Sequence, residues 1–277
     1  MQSCLILVCL LIVLSVGLEA RSEAKAVKQL PTHLCESGTP LQLEMSNAAE
    51  WADFKPVGRF QGGVPFAFKY GGREFDASKW QRTDSKVNGR VLHAWTDPDT
   101  GLRVTMDQKV HTDYPAVEWV LSFENTGEKD TAIVEGVDSL RVTATSEAKG
   151  PCKLHAANGG RSLPDDMMPF TTEVRDGSFE IGGDYSSNRH LPFFNLETPD
   201  NRGMAVAVGW TGVWKAGVRV EGNKMTLTAG MPATRFILHP GEKVRGPRIL
   251  AVLWSGKPMH GQNMLRRTIY KHYLYSS

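Results

Sequence analysis

Acid–base chemistry needs carboxylates or imidazoles that converge, and the sequence offers few obvious pairs. Asp165 and Asp166 stand side by side in "SLPDDMM". Two carboxylates facing one sugar ring would be a glycosidase arrangement. Adjacent residues rarely aim at the same atom, however, so a solvated turn stands beside the catalytic reading. The eight histidines are scattered, the nearest two being His260 and His272. No Cys-x-x-Cys or His-Glu-x-x-His spacing occurs, so nothing in the sequence points to a metal site. Gly-x-Ser-x-Gly, a P-loop and a dinucleotide fingerprint are missing too, which leaves no cofactor to expect. The glycines of "NGGR" and "IGGD" read as turn residues. Seven tryptophans could stack on sugars. Trp119 and Trp254 fall inside strand patterns and read as core. Trp51, Trp80, Trp95, Trp210 and Trp214 lie near turns or strand ends, where packing under a loop outweighs ligand stacking.

The elements that must position these residues are mostly strands. "GLRVTMDQKVHT" alternates Leu102, Val104, Met106 and Val110 with Arg103, Thr105, Asp107 and Lys109. "AVEWVLSFENTG" sets Val117, Trp119, Leu121 and Phe123 opposite Glu118, Ser122 and Glu124, then turns at Asn125-Thr126-Gly127. The scheme repeats to the end of "RILAVLW", which is apolar on both faces and reads as a central strand covered on both sides. Gly222-Asn223 and Pro240-Gly241 supply turns. Helical periodicity shows only from His260 onward, with Met264, Leu265, Ile269 and His272 on one stripe. The pattern predicts an all-β fold, an antiparallel sandwich followed by one helix. Two irregular stretches interrupt it, "HAANGGRSLPDDMMPFTTEV" and "IGGDYSSNRHLPFFNLETPDNRG". Long loops in a compact sandwich serve binding or interfaces. They make Asp165, Asp166, Ser187 and Asn188, with Trp210 and Trp214 nearby in sequence, the candidate carbohydrate or interface contacts.

Composition sets outer limits. A net charge of +2 on 277 residues, evenly spread, argues against a nucleic-acid partner. The apolar run from Cys4 to Gly17 is too short to span a bilayer, and Ser22-Glu23-Ala24 fits small-x-small cleavage. Residues 1–24 are therefore expected to be a signal peptide that sends the chain to a secreted or periplasmic location. After cleavage no membrane contact is expected; an uncleaved membrane anchor is the rival reading. Cleavage would leave Cys35 and Cys152 as the remaining pair. In an exported protein they are a disulfide candidate, worth on the order of 4–5 kcal/mol by chain entropy. Two unpaired buried thiols are the alternative.

Several segments carry a resemblance. "YPAVEWVLSFENTG", "SSNRHLPFFNLE", "GMAVAVGWTGVW", "TLTAGM", "LHPGEKVRGPRILAVLWSG" and "GQNMLRRTIYKHY" follow one another between Trp51 and Tyr273. In that order they resemble the N-terminal domain of α-galactosidases of the melibiase and raffinose-processing type, glycoside hydrolase family 36. The resemblance implies an antiparallel β-supersandwich, of the galactose mutarotase-like kind, over 25–259, and a helix over 260–277 that connects to a (β/α)8 barrel. In that family the barrel carries the aspartate nucleophile and the aspartate acid/base, and no residue here matches either. The implied function is a non-catalytic domain of an enzyme acting on α-galactosides, inactive alone, in a chain that ends where the barrel would begin. Its partners would be a galactoside-type carbohydrate or a barrel domain or subunit, with oligomerisation open.

Two further readings stand beside this one. The chain could be a stand-alone carbohydrate-binding or interface module. Alternatively, "NRHLPFFNL" resembles the "NH-x-YFNL" segment of sugar mutarotases, with Asn188 and Phe194-Asn195-Leu196 in place. His190 is one residue out of register, which in a strand would turn it to the opposite face. If the C-terminal helix is a connector, Leu265, Ile269, Tyr270, Tyr273 and Leu274 should form an exposed apolar patch.

Overall fold

The structure, a computed structural model, describes residues 41–274; the expected signal peptide and Cys35 lie outside the described residues. It opens on a helix, α1 (Leu41–Ala52), which the period-two reading does not anticipate. The segment "LQLEMSNAAEWA" is built from good helix formers, but its apolar side chains are mostly small and its periodicity is shallow. Tertiary burial makes it a helix: Ala48, Trp51 and Ala52 enter the main core, where Trp51 lies 5.8 Å from Trp119 between ring centroids.

The rest is two antiparallel sheets, as the alternation predicts. The larger has nine strands. Numbered along the chain, they stand in the spatial order β3 (Gln81–Val87), β4 (Arg90–Thr96), β5 (Leu102–Val110), β6 (Ala116–Asn125), β16 (Lys243–Ser255), β12 (Arg202–Gly209), β11 (Phe193–Glu197), β8 (Cys152–Ala157) and β9 (Pro169–Val174). The smaller sheet runs β10 (Gly177–Gly183), β13 (Trp214–Glu221), β14 (Lys224–Gly230), β7 (Val134–Thr145), β1 (Ala67–Tyr70) and β2 (Arg73–Glu74), with β15 (Arg235–Phe236) also paired to β7. Facing side chains fill the space between them: Val104, Met106, Leu121 and Phe123 from one sheet, Leu140, Val142, Val218 and Leu227 from the other. Trp119 joins the layers by donating its indole N–H to the Ser139 carbonyl at 2.9 Å.

Strand β16 lies between β6 and β12 and is covered on both faces. Ile249, Ala251 and Leu253 point into the main core. Leu250, Val252 and Trp254 point the other way, into a second cluster with Ala116, Ala205, Ala207, Met264 and Leu265. The last two belong to the C-terminal helix α2 (Pro258–Tyr273), which lies across the outer face of the large sheet. Pro258 starts it, as proline can where no N–H bond is needed.

Close approach is permitted by Gly261, where an added Cβ would stand 2.2 Å from the Trp254 ring. Trp254 donates to Asn195 Oδ1 at 2.7 Å, and Asn195 in turn donates to the Pro258 carbonyl at 3.1 Å. Glu44 of α1 fastens the same junction, accepting from Ser255 N at 2.9 Å and meeting His260 Nε2 at 2.8 Å. The expected apolar patch is therefore not what forms. Leu265 is buried, Ile269 and Tyr273 are half-buried against the second cluster, and of the five residues Tyr270 alone is mostly exposed. The covering surface comes from β16 and β12, whose outward side chains are apolar. Among the described residues no helix is long and apolar enough to cross a membrane.

Candidate functional site

The two irregular stretches of the sequence meet. One lies between β8 and β9 and the other between β10 and β11, and backbone bonds stitch them together. Gly159 N donates to Arg189 O at 2.9 Å, Gly160 N to Ser187 O at 2.9 Å, and Leu191 N to Ala157 O at 3.0 Å. A Cβ at Gly159 would lie 2.0 Å from Ser187 O, so only glycine allows this approach. Asp165, Asp166, Ser187 and Asn188 are thus carried on one joined pair of loops.

Their polar atoms are largely spent within the loops. The Asp166 carboxylate accepts the backbone N–H of Arg161 at 2.9 Å and of Ser162 at 2.7 Å. The Arg161 amide leads in holding its pKa below the usual carboxylate range. Asp165 is exposed and accepts from the Asn158 amide at 2.9 Å. Each carboxylate closes a turn of its own loop, and the pair does not converge on a shared point. A glycosidase acid would need a raised pKa; Asp166 is shifted the other way. Asn188 does the same work as Asp166, accepting from Asp184 N at 2.8 Å and Tyr185 N at 3.2 Å.

The tryptophans take core positions. Trp214 is 1% exposed and donates its indole N–H to the Ser186 carbonyl, pinning the second loop. Trp210 is half-buried, and the Arg245 guanidinium stands 5.7 Å from its ring centroid. Trp51, Trp95, Trp119 and Trp254 are buried, and Trp80 packs edge-on against Phe68 and Phe75. His190 hydrogen-bonds the Gly182 carbonyl through Nδ1 at 2.8 Å, with its ring against Phe170. Cys152 is buried in the core, and burial pushes its thiol up to about 11. Its pairing with Cys35 falls outside the described residues. To solvent the loop pair presents the charged Arg161, Asp165 and Arg189 together with the apolar Leu163, Met168 and, 76% exposed, Tyr185.

A buried ionic group lies elsewhere, and alternation along β6 does not foretell it. Glu118 is 3% exposed although it stands opposite the main core. It pairs with Arg90, which also binds Asp107 at 2.5 Å, and Arg248 approaches at 3.8 Å. The sequence signal for it is the double-sided apolar pattern of β16, next to β6. A covered strand implies covered neighbours.

No family model and no curated protein matches the chain. Solved structures do. The galactosidase domain of an α-galactosidase-sucrose kinase matches with a TM-score of 0.58 at 13% identity, over 78% of this chain and 33% of that one. A GH36 α-galactosidase from Geobacillus stearothermophilus, in complex with stachyose, matches at 0.56 with 12% identity over 78% and 33%. The α-galactosidase from Lactobacillus brevis matches at 0.54 with 14% identity over 76% and 32%. The chain spans about a third of the length of these relatives. Its antiparallel β-supersandwich is the fold of the N-terminal domain of GH36 α-galactosidases.

Proposed function

We propose that this region is the non-catalytic sandwich domain of an α-galactosidase-like glycoside hydrolase acting on α-galactosides, and that it has no hydrolase activity alone. The observation that carries the reading is the fold match over 78% of the chain. The fate of the adjacent carboxylates supports it, because Asp165 and Asp166 are turn residues rather than a facing pair. In this reading the enzyme's barrel supplies both aspartates, the sandwich supplies a rigid base, and residues 1–24 direct export. Purified protein incubated with an aryl α-galactoside should release no galactose above a blank. Release at a measurable rate would overturn the reading.

The joined loops favour a docking role over sugar binding. The Asp166 and Asn188 acceptors are consumed internally, and the loops expose the apolar Leu163, Met168 and Tyr185 among their charged residues. This suits contact with a barrel domain or a second subunit. Titration with galactose, melibiose and raffinose at millimolar concentration should leave tryptophan fluorescence unmoved. A saturable change would restore the loops as a carbohydrate site.

A further inference from the structure

We propose that His111, Asp113 and His272 form a binding site for one divalent transition-metal ion of the zinc type, clipping the last turn of α2 to the corner between β5 and β6. His111 directly follows β5, Asp113 lies two residues on in the same corner, and His272 comes from α2. One ligand atom from each lies within 4.8 Å of the others. Two imidazoles and a carboxylate are a donor set that zinc accepts, with a fourth position left for water.

The independent observation is His111. It is 4% exposed, and neither of its ring nitrogens has a hydrogen-bond partner. Buried polar atoms in folded proteins are nearly always satisfied, so an imidazole with both nitrogens idle points to a missing ligand. The nearest carboxylate oxygen, on Glu118, is 4.0 Å from Nε2, and that carboxylate already serves Arg90. The His111 ring lies 4.4 Å from the His272 ring, centroid to centroid, and one of its nitrogens is within 4.8 Å of a ligand atom on each of the other two residues.

His272 Nε2 is 3.0 Å from both oxygens of Asp113. That is a hydrogen-bond separation, which a tetrahedral ion at about 2.0–2.2 Å from each atom would open by a few tenths of an ångström. Without an ion, one proton bridges them; the ion takes that proton's place. Lys271 Nζ, 2.7 Å from Asp113 Oδ2, then becomes the outer partner that orients the carboxylate. The His272 side chain is 23% exposed, which gives an ion a path in.

The test uses the full chain after dialysis against a chelator. Calorimetric titration with Zn2+ should show one equivalent bound, and Co2+ should give the visible absorption of a low-coordinate nitrogen–oxygen site. His272→Ala removes an α2 side chain at the surface, so the protein should stay folded while Zn2+ binds at least tenfold more weakly. Asp113→Asn should weaken it similarly. His239→Ala, a histidine on another surface, should leave binding unchanged. Zinc should also raise the melting temperature of the parent and not that of His272→Ala. The proposal is overturned if the parent binds no Zn2+ at millimolar concentration, or if His272→Ala binds as tightly as the parent.

Discussion

Glu118 is the residue whose role reaches furthest beyond its position in the sequence. Alternation along β6 assigns it to the face opposite Trp119, where solvent is the default. Here that face lies under other elements, and Arg90 and Arg248 stand against the carboxylate. Taking away one partner of a buried pair leaves a charge with no compensation. Arg90→Ala should therefore cost about 3 kcal/mol in urea unfolding. Arg90→Met with Glu118→Leu should recover most of that loss, because the charge is removed together with its partner.

At the surface the same chemistry is weaker and its sign is readable. The Asp130 carboxylate accepts from His239 Nδ1 at 2.7 Å and raises the imidazole above its ordinary 6.5. A histidine with a raised folded pKa adds stability that is fully present below pH 6.5 and is lost as pH rises through the folded value. An NMR titration should place His239 above its ordinary value, and Asp130→Asn should lower it, with Glu242 still raising it in part. A His239 titration unmoved by that substitution would remove Asp130 as the cause.

Among the elements, the strands were legible and the helices only partly. Period two with Gly, Asn and Pro turns locates β5, β6, β13, β14 and β16, since a half-buried strand must show its two faces. The doubly apolar β16 even announces that something covers its outer side. It does not say what, because cover is a property of the partner surface. The helix expected from His260 begins at Pro258, and its stripe of Met264 and Leu265 is the covering piece. Helix α1 escapes because Ala48 and Ala52 give a shallow stripe, and Trp51 looks from sequence like a loop residue. The candidate loops were identified as irregular, and their meeting follows only from the order of β8, β9, β10 and β11 in the two sheets. His111 and His272 come from distant parts of the chain, so no spacing rule could join them. One glycine tests the docking of α2. Gly261→Ala would place a methyl group 2.2 Å from the Trp254 ring. Neither the helix backbone nor a buried indole gives way easily, so the change should destabilise by about 1–3 kcal/mol. Gln262→Ala, next to it on the exposed side, should be within about 0.5 kcal/mol of the parent.

At the scale of the whole molecule there are three layers: the smaller sheet, the larger sheet, and α2 on the outside. The outer layer belongs to the same cooperative unit as the inner two, because Glu44 of α1 and Asn195 of β11 hydrogen-bond it and Trp254 of β16 packs against it. A connector that only passed over the sandwich would have no such bonds. Removing 258–277 would uncover Leu250, Val252 and Trp254, together with Ala205 and Ala207 of β12. It would also leave Glu44 buried without His260. Met264 and Leu265 alone account for roughly 3–6 kcal/mol at about 1.5–3 kcal/mol per buried side chain. In a domain of this size each kcal/mol moves the melting temperature by about 2–4 °C. The shortened protein should therefore melt roughly 10 °C or more below the parent and self-associate through the bared sheet face, visible by light scattering. Leu265→Ala, which keeps the helix, should show a smaller loss of about 2–5 kcal/mol without the association. If the shortened protein kept its melting temperature and stayed monodisperse, α2 would be a passenger, and the sandwich would be a two-layer unit complete without it.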